Sequence, residues 1–378
     1  MISFNKPYYT GKEIEYIEDT LKRNKICGDG YYTKKVSEFM EKTFNTKKAL
    51  MTTSCSMALD MSCILADIKE GDEVILPSYT FVSTANSIVL RGGKCIFADI
   101  DPNTLVIDLE DVEKKITERT KAIIVVHYAG VSCDMDKLME IANKNNILVI
   151  EDAAQAVNAK YKGKYLGTIG HMGCYSFHET KNYVAGEGGA LLINIDDKTL
   201  IESAEIVREK GTNRSNFYRG QVDKYTWVKM GSSYLPSEMI SAFLMAQFEE
   251  LDTINNLRKE VFNKYYDGTR ELEEMGKVRR PIIPDYNDIN YHMFYLILNS
   301  EKERNNLLEY FKQNDIIGTF HYLPLHTSPM GLEMGYKEGD LPITESISSR
   351  LIRLPMYAGL TNEEVDKVLF HLKEFFKK

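Results

Sequence analysis

The chain has 378 residues, with 47 Lys+Arg against 55 Asp+Glu and a formal net charge of −8. Hydrophobic residues make up 43% and charged residues 27%, ordinary for a soluble globular chain of about two domains. An acidic balance without a Lys/Arg-rich block argues against a nucleic-acid footprint, and no apolar run approaches the ~20 residues that span a bilayer.

The opening segment, MISFNKPYYTGKE, lacks a charged stretch followed by an apolar one, so no secretion signal is expected. Ile14, Ile17 and Leu21 mark an amphipathic helix within residues 1–35, followed by a glycine-rich turn, Cys27-Gly28-Asp29-Gly30. From about residue 48, short apolar runs at Glu73–Leu76, Lys94–Ala98, Ala122–Val126 and Ile147–Ile150 alternate with helical stretches such as Met135–Lys144. That alternation predicts βαβ units and a largely parallel sheet. Gly188–Ile195 reads as a further strand and Lys198–Arg208 as a further helix. Residues 210–235 are polar and aperiodic, with Arg208, Lys210, Arg214, Arg219 and Lys224 clustered in and beside them. A helical pattern from Pro236 to about Leu272 precedes strand-like His292–Leu298, helical Glu301–Gln313, strand-like Ile316–Tyr322 and a terminal helix, Asn362–Lys377. The expected division is a large unit over residues 1–255 and a smaller α/β unit over 256–378.

The six cysteines (Cys27, Cys55, Cys63, Cys95, Cys133 and Cys174) are scattered and form no CxxC pair. They read as the reduced thiols of a cytoplasmic protein, not as zinc ligands or a disulfide framework.

Ligands of an open parallel sheet bind beyond the carboxyl ends of its strands. Three polar segments follow strand runs directly: Pro77-Ser78-Tyr79-Thr80-Phe81, His127-Tyr128-Ala129-Gly130 and Glu151-Asp152-Ala153-Ala154-Gln155. Asp152 is either a helix N-cap carboxylate or the partner of a buried cation or protonated ring nitrogen. Lys181, in the polar loop Ser176-Phe177-His178-Glu179-Thr180-Lys181-Asn182, is either a solvated lysine or one desolvated enough to form a Schiff base. His178-Glu179 fails the HExxH zinc pattern because Asn182 stands where the second His is required. Gly28-Asp29-Gly30 fails the dinucleotide fingerprint at Thr33, which argues against a nicotinamide-dependent enzyme. Thr52-Thr53-Ser54-Cys55-Ser56 opens the helical pattern Met57–Leu65, as a simple cap or as a phosphate cradle. A phosphate cradle, a stacking aromatic, a strand-end Asp and a loop Lys are together the set that pyridoxal phosphate (PLP) requires.

Residues 176–182, 151–155, 77–86 and His321-Tyr322-Leu323-Pro324-Leu325-His326 resemble the DegT/StrS-type sugar aminotransferases, over essentially the whole chain. The resemblance implies a PLP-dependent transferase of fold type I, aspartate aminotransferase-like. Its large domain has a mostly parallel central sheet, and a smaller α/β domain follows. It implies that Lys181 bonds the cofactor's aldehyde and shuttles the proton at the sugar carbon. Asp152 would pair with the pyridinium nitrogen, Gln155 with the phenolic oxygen, and Phe81 would stack on the ring. Cys55, Ser56 and Ser176 would surround the phosphate. Ser233 stands where many members carry an Asn-x-Arg element supplied by a neighbouring subunit, so a homodimer with shared sites is implied.

Residues 27–30, 219–227 and 231–235 resemble most the members that pass nitrogen from L-glutamate to C4 of dTDP-4-keto-6-deoxyglucose. Those members yield dTDP-4-amino-4,6-dideoxygalactose for surface glycans of the enterobacterial-common-antigen or O-antigen kind. Relatives that dehydrate sugars carry His in place of the lysine, and Lys181 is intact here. An acidic protein that takes a pyrophosphate needs a local cationic patch. Arg219 and Lys224 are the candidates for it, with His321, Tyr322 and His326 expected either to line the sugar pocket or to be buried and satisfied.

Overall fold

The computed structural model describes residues 1–377. Seven strands build the central sheet: β1 (Lys48–Thr52), β2 (Glu73–Pro77), β3 (Lys94–Ala98), β4 (Thr120–Val126), β5 (Leu148–Asp152), β6 (Met172–Ser176) and β7 (Gly189–Ile193). Their order is β1-β7-β6-β5-β4-β2-β3. Only β7 breaks the parallel arrangement, running antiparallel to both β1 and β6. Alternate residues of each strand point to opposite faces. Leu50, Val74, Ile124, Ile150 and Leu191 enter one apolar cluster, and Ala49, Ile75, Ile123, Val149 and Leu192 enter another. With both faces covered, a strand such as β2 is buried along its whole length, which is why Val74-Ile75-Leu76 within it are consecutive apolar residues.

The first cluster is completed by α3 (Cys55–Leu65), α4 (Val82–Val89) and α7 (Lys198–Arg208). The second takes side chains from α2 (Tyr31–Phe44), α5 (Leu109–Lys115), α6 (Met135–Lys144) and α8 (Glu238–Glu249). Beyond α9 (Leu251–Gly268), a smaller antiparallel sheet is formed in the order β8 (Val278–Arg279), β9 (Tyr295–Leu298) and β10 (Leu351–Arg353). Helix α10 (Glu301–Gln313) packs on it, and α11 (Asn362–Lys377) packs on α9 and α10. Helix α9 runs unbroken through residue 255, where the sequence suggested the division between units.

Four expectations change. The helical pattern from Pro236 to Leu272 is broken at Glu250, a position with neither Gly nor Pro to announce the break, and again at Thr269, so that it ends inside a third helix, Arg270–Glu274. Residues 316–322 form no strand: Ile316 bridges Ile2 and Thr319 bridges Arg353, each as an isolated pair. Strand β6 was not anticipated. In α1 (Glu13–Lys22), Ile14 and Leu21 are exposed while Glu13 is buried. The Glu13 carboxylate accepts from the Thr10 and Gly11 amides at 2.7 and 2.9 Å and from Gln247 Nε2 at 2.7 Å, which fixes the helix's orientation against the apolar pattern.

Candidate active site

Val126, Asp152 and Ser176, the last residues of β4, β5 and β6, open onto one cavity of about 340 Å³. Glu151 and Asp152 are consecutive on β5 and therefore face opposite ways. Glu151 points into the fold, where it accepts from the amides of Gly167, Ile169 and Gly170 at 2.7, 2.6 and 2.5 Å and meets His127 Nε2 at 2.7 Å. Asp152 points into the cavity. Its Oδ2 accepts from Thr84 Oγ1 at 2.8 Å and its Oδ1 from the Ala154 amide at 3.2 Å. Burial raises the Asp152 pKa above the usual aspartate value, against the pull of those hydrogen bonds and of Lys181. A cationic ring nitrogen against it would reverse that cost.

Lys181 lies in the turn after β6, held by its amide to the His178 carbonyl at 2.9 Å. Its side chain lines the same cavity. Burial depresses its pKa, while Cys55 and Asp152 act the other way. A lysine so placed has a larger fraction of nucleophilic free amine.

The floor of the cavity is the start of α3. Ser54 caps the helix, accepting from the Met57 amide at 3.2 Å, and Cys55 and Ser56 follow. Ser56 and Ser83 hydroxyls lie 2.6 Å apart. The approach of β7 is so close that a Cβ on Gly189 would sit 2.4 Å from the Ser54 carbonyl carbon and the Cys55 nitrogen. Free helical amides and two hydroxyls suit a phosphate. Phe81 caps α4 from the cavity wall with 56% of its surface exposed, available to lie on a planar ring.

Gln155 uses its carbonyl on the Ala129 amide (2.8 Å) and donates to the Tyr322 hydroxyl (3.0 Å). His321 Nδ1 lies 3.0 Å from the Tyr128 hydroxyl, and the Tyr79 hydroxyl donates to the His321 carbonyl. Of the candidate residues, Lys181, Asp152, Gln155, Phe81, Cys55, Ser56, Ser176, His321 and Tyr322 all line this cavity.

Four do not. His326 is fully buried elsewhere, its Nδ1 2.8 Å from Ser78 Oγ and its Nε2 2.9 Å from Glu345, so both ring nitrogens are already used. Arg219 and Ser233 line a separate groove, where Arg219 is tied to Glu205 at 2.7 Å and to Asn216 at 2.8 Å. Lys224 is exposed and lines neither space.

Among the lining residues that escaped the sequence reading are His292 and Arg353. His292 Nδ1 lies 2.8 Å from Asn182 Oδ1. Asn182 donates its amide to the Asn290 carbonyl at 2.7 Å, so its oxygen accepts from the imidazole. Burial lowers the His292 pKa, keeping the ring neutral beside Lys181. Arg353 ends β10 and reaches the same cavity. Neither residue sits in a motif. Among the described residues no cluster of His, Cys, Asp and Glu could hold a metal, and no helix is long and apolar enough to cross a membrane.

Residues 7–373 match the model of the DegT/DnrJ/EryC1/StrS aminotransferase family. The chain belongs to that family. GDP-perosamine synthase of Escherichia coli O157:H7 is 32% identical over 98% of this chain and 97% of its own length. Spore coat polysaccharide biosynthesis protein SpsC of Bacillus subtilis is 31% identical over 100% and 97%. Among solved structures, the PLP form of the sugar aminotransferase Spr1654 from Streptococcus pneumoniae superposes with a TM-score of 0.92 at 24% identity, covering 100% of this chain and 98% of that one, a likeness of fold.

The protein is a PLP-dependent sugar aminotransferase of fold type I. The cavity fits that cofactor on its own chemistry: a desolvated amine, a carboxylate buried at a cost that a cation would offset, a helix start with hydroxyls, and an open aromatic face. When bound, PLP supplies an electron sink for the carbon that gains or loses the proton.

Proposed function

We propose that this aminotransferase moves the amino group of L-glutamate to C4 of dTDP-4-keto-6-deoxyglucose. The products are dTDP-4-amino-4,6-dideoxygalactose and 2-oxoglutarate, for a surface glycan. The observation that carries this reading is the intact Lys181 facing Asp152 in one cavity, together with the subgroup-like segments 27–30, 219–227 and 231–235.

Each group then has a task. Asp152, oriented by Thr84, keeps a proton on the ring nitrogen and so maintains the electron sink. Lys181 takes the proton from the donor's carbon and delivers one to the sugar carbon, as its depressed pKa suits. The face from which it delivers sets the configuration of the new amine. His321, Tyr322 and the neutral His292 bound the space left for the sugar.

The protein acts as a homodimer in this reading. The apolar side chains of Ile14, Leu21 and Ile26, exposed on a single chain, support a covering second copy. That copy brings segment 208–235 to the cavity mouth, so Ser233 serves the phosphate and Arg219 and Lys224 the pyrophosphate across the interface. The six unpaired cysteines support a cytoplasmic location.

The GDP-perosamine synthases among its relatives favour one second reading, a GDP-linked keto sugar as acceptor. Steady-state transamination from L-glutamate to a panel of dTDP- and GDP-linked 4-keto-6-deoxy sugars separates the two. Preference for the dTDP sugar is expected. A kcat/KM higher for the GDP sugar replaces the first reading with the second.

A further inference from the structure

His292 reaches the cavity on a segment that is firmly held. Its neighbour Tyr291 adopts left-handed backbone, φ +53°, an unfavourable conformation for a bulky residue. Arg258 of α9 fixes that geometry by donating to the Tyr291 and His292 carbonyls at 3.0 and 2.5 Å. Asn290, two residues before His292, donates to the carbonyls of Gln155 and Val157, each at 2.9 Å. The ring's tautomer is fixed as well. Asn182 gives its amide N–H to the Asn290 carbonyl, so its oxygen takes the Nδ1 proton of His292. Nε2 is then an unprotonated acceptor. No described residue hydrogen-bonds it, and the ring, only 5% exposed, lines the cavity. A buried acceptor held this way and left unpaired calls for a donor.

Lys181 immediately precedes Asn182, the residue that orients the imidazole. Its side chain lines the same cavity, and no described residue hydrogen-bonds its amine. The titratable groups beside that amine are Cys55, Asp152 and Arg353, and those facing His292 are Lys181, Arg258, Arg353 and His321. In the proposed site Asp152 faces the cofactor's ring nitrogen, and Cys55 stands at the start of α3 by the phosphate. The arginines have no acceptor to offer. At the mouth, His178 and Glu187 lie 3.7 Å from each other. We propose that His292 is a positioning residue for Lys181: Nε2 accepts an N–H of the amine whenever that amine is not joined to the cofactor, leaving its lone pair to the reacting carbon. The proposal rests on Lys181 as the reacting lysine of the function above, and holds whichever nucleotide sugar is the acceptor. Burial, and then Lys181 and the two arginines, lower the His292 pKa, so the imidazole does not compete for the proton Lys181 carries.

The test follows, against pH, the rate at which cofactor-free protein captures PLP in wild type, His292→Asn and His292→Gln, with thermal unfolding as the control for folding. The amide nitrogen of Asn falls where Nδ1 was and keeps the bond to Asn182, with no acceptor at the Nε2 position. The amide of Gln places an oxygen where Nε2 was and loses the bond to Asn182. A hydrogen bond to the ammonium outweighs one to the free amine, so losing the acceptor lowers the amine's pKa. The capture midpoint is expected to fall by about one pH unit in His292→Asn and to stay within about 0.3 of wild type in His292→Gln. A purely structural bond to Asn182 gives the opposite order. That order, or an unchanged midpoint in His292→Asn, overturns the proposal. Should neither variant fold, nitrogen-15 NMR of the imidazole in cofactor-free protein decides. The Nε2 resonance should move downfield in Lys181→Met, as an acceptor losing its donor does, and an unmoved resonance overturns the proposal. Capture that survives in Lys181→Met overturns both this proposal and the functional reading. A wild type that captures PLP through Lys181 and shows the Asn–Gln difference, yet aminates no nucleotide sugar, refutes the functional reading and supports the positioning role.

Discussion

The Thr84 hydroxyl donates to Asp152 Oδ2 at 2.8 Å and itself sits 2.8 Å from the Thr80 hydroxyl. A residue of α4 thus aims the carboxylate at the end of β5. The carboxylate proposed to face the cofactor's ring nitrogen is oriented from two chain segments, by Thr84 and by the Ala154 amide, the kind of preorganisation on which electrostatic catalysis depends.

That orientation is purchased with an unpaired buried charge. Burial raises the Asp152 pKa above its ordinary 3.8, so the native cofactor-free protein holds the proton more tightly than the unfolded chain. The stabilisation is full below 3.8 and is lost as pH rises through the raised native value. Cofactor-free Asp152→Asn is therefore expected to be more stable than wild type at pH 7 in urea unfolding, the gap closing on acidification. The same variant should lose PLP affinity and about 10²–10⁴-fold in kcat. An apo variant less stable than wild type at pH 7 contradicts the assignment.

Lys181 is depressed by the same desolvation. The rate at which cofactor-free protein captures PLP, followed by absorbance, should rise with pH to a plateau whose midpoint lies below the ordinary lysine value of 10.5. Lys181→Ala should show no capture and at least about 10³-fold less transamination. A midpoint at or above 10.5 places the amine in water.

Gly189 marks the contact between β7 and the start of α3, the turn proposed to hold the phosphate. A Cβ 2.4 Å from two backbone atoms cannot be accommodated without moving one element. Gly189→Ala is expected to cost about 1–3 kcal/mol in urea unfolding, and PLP affinity should fall with it. Full stability together with full affinity would show that α3 is free to shift.

Behind the site, Glu151 holds three amides and His127. Glu151→Ala strands all four and should cost about 3–5 kcal/mol. Glu151→Gln, which keeps an acceptor, should cost less, by the same denaturation assay. Equal losses in the two variants would mean that volume, not hydrogen bonding, is what the position supplies.

Apolar strand runs, and the polar residues at their carboxyl ends, carried most of the fold and half of the site. Asp152 and Gln155 were legible because they follow an apolar strand run onto the rim, and Lys181 because it stands in a polar loop. Strand β6 was hidden by Gly173, which is tolerated mid-strand because the Gly167 carbonyl lies where a Cβ would be, only 1.9 Å from it. Residues 316–322 have strand propensity but no neighbour to pair with along their length. His292 and Arg353 arrive from distant segments, a single His and a single Arg with no spacing to announce them. His326 sits five residues from His321, yet Ser78 and Glu345 consume its ring nitrogens, a tertiary fact no local pattern encodes.

The most direct measurement is NMR of the nucleotide sugar formed from PLP-loaded enzyme, nitrogen-15 L-glutamate and dTDP-4-keto-6-deoxyglucose. The account predicts label on C4 and a small H3–H4 coupling, the mark of an axial amine and the galacto product. A large coupling would mean that Lys181 delivers its proton to the other face, giving the gluco epimer. Label on another carbon, or none, would contradict amino transfer to C4 altogether.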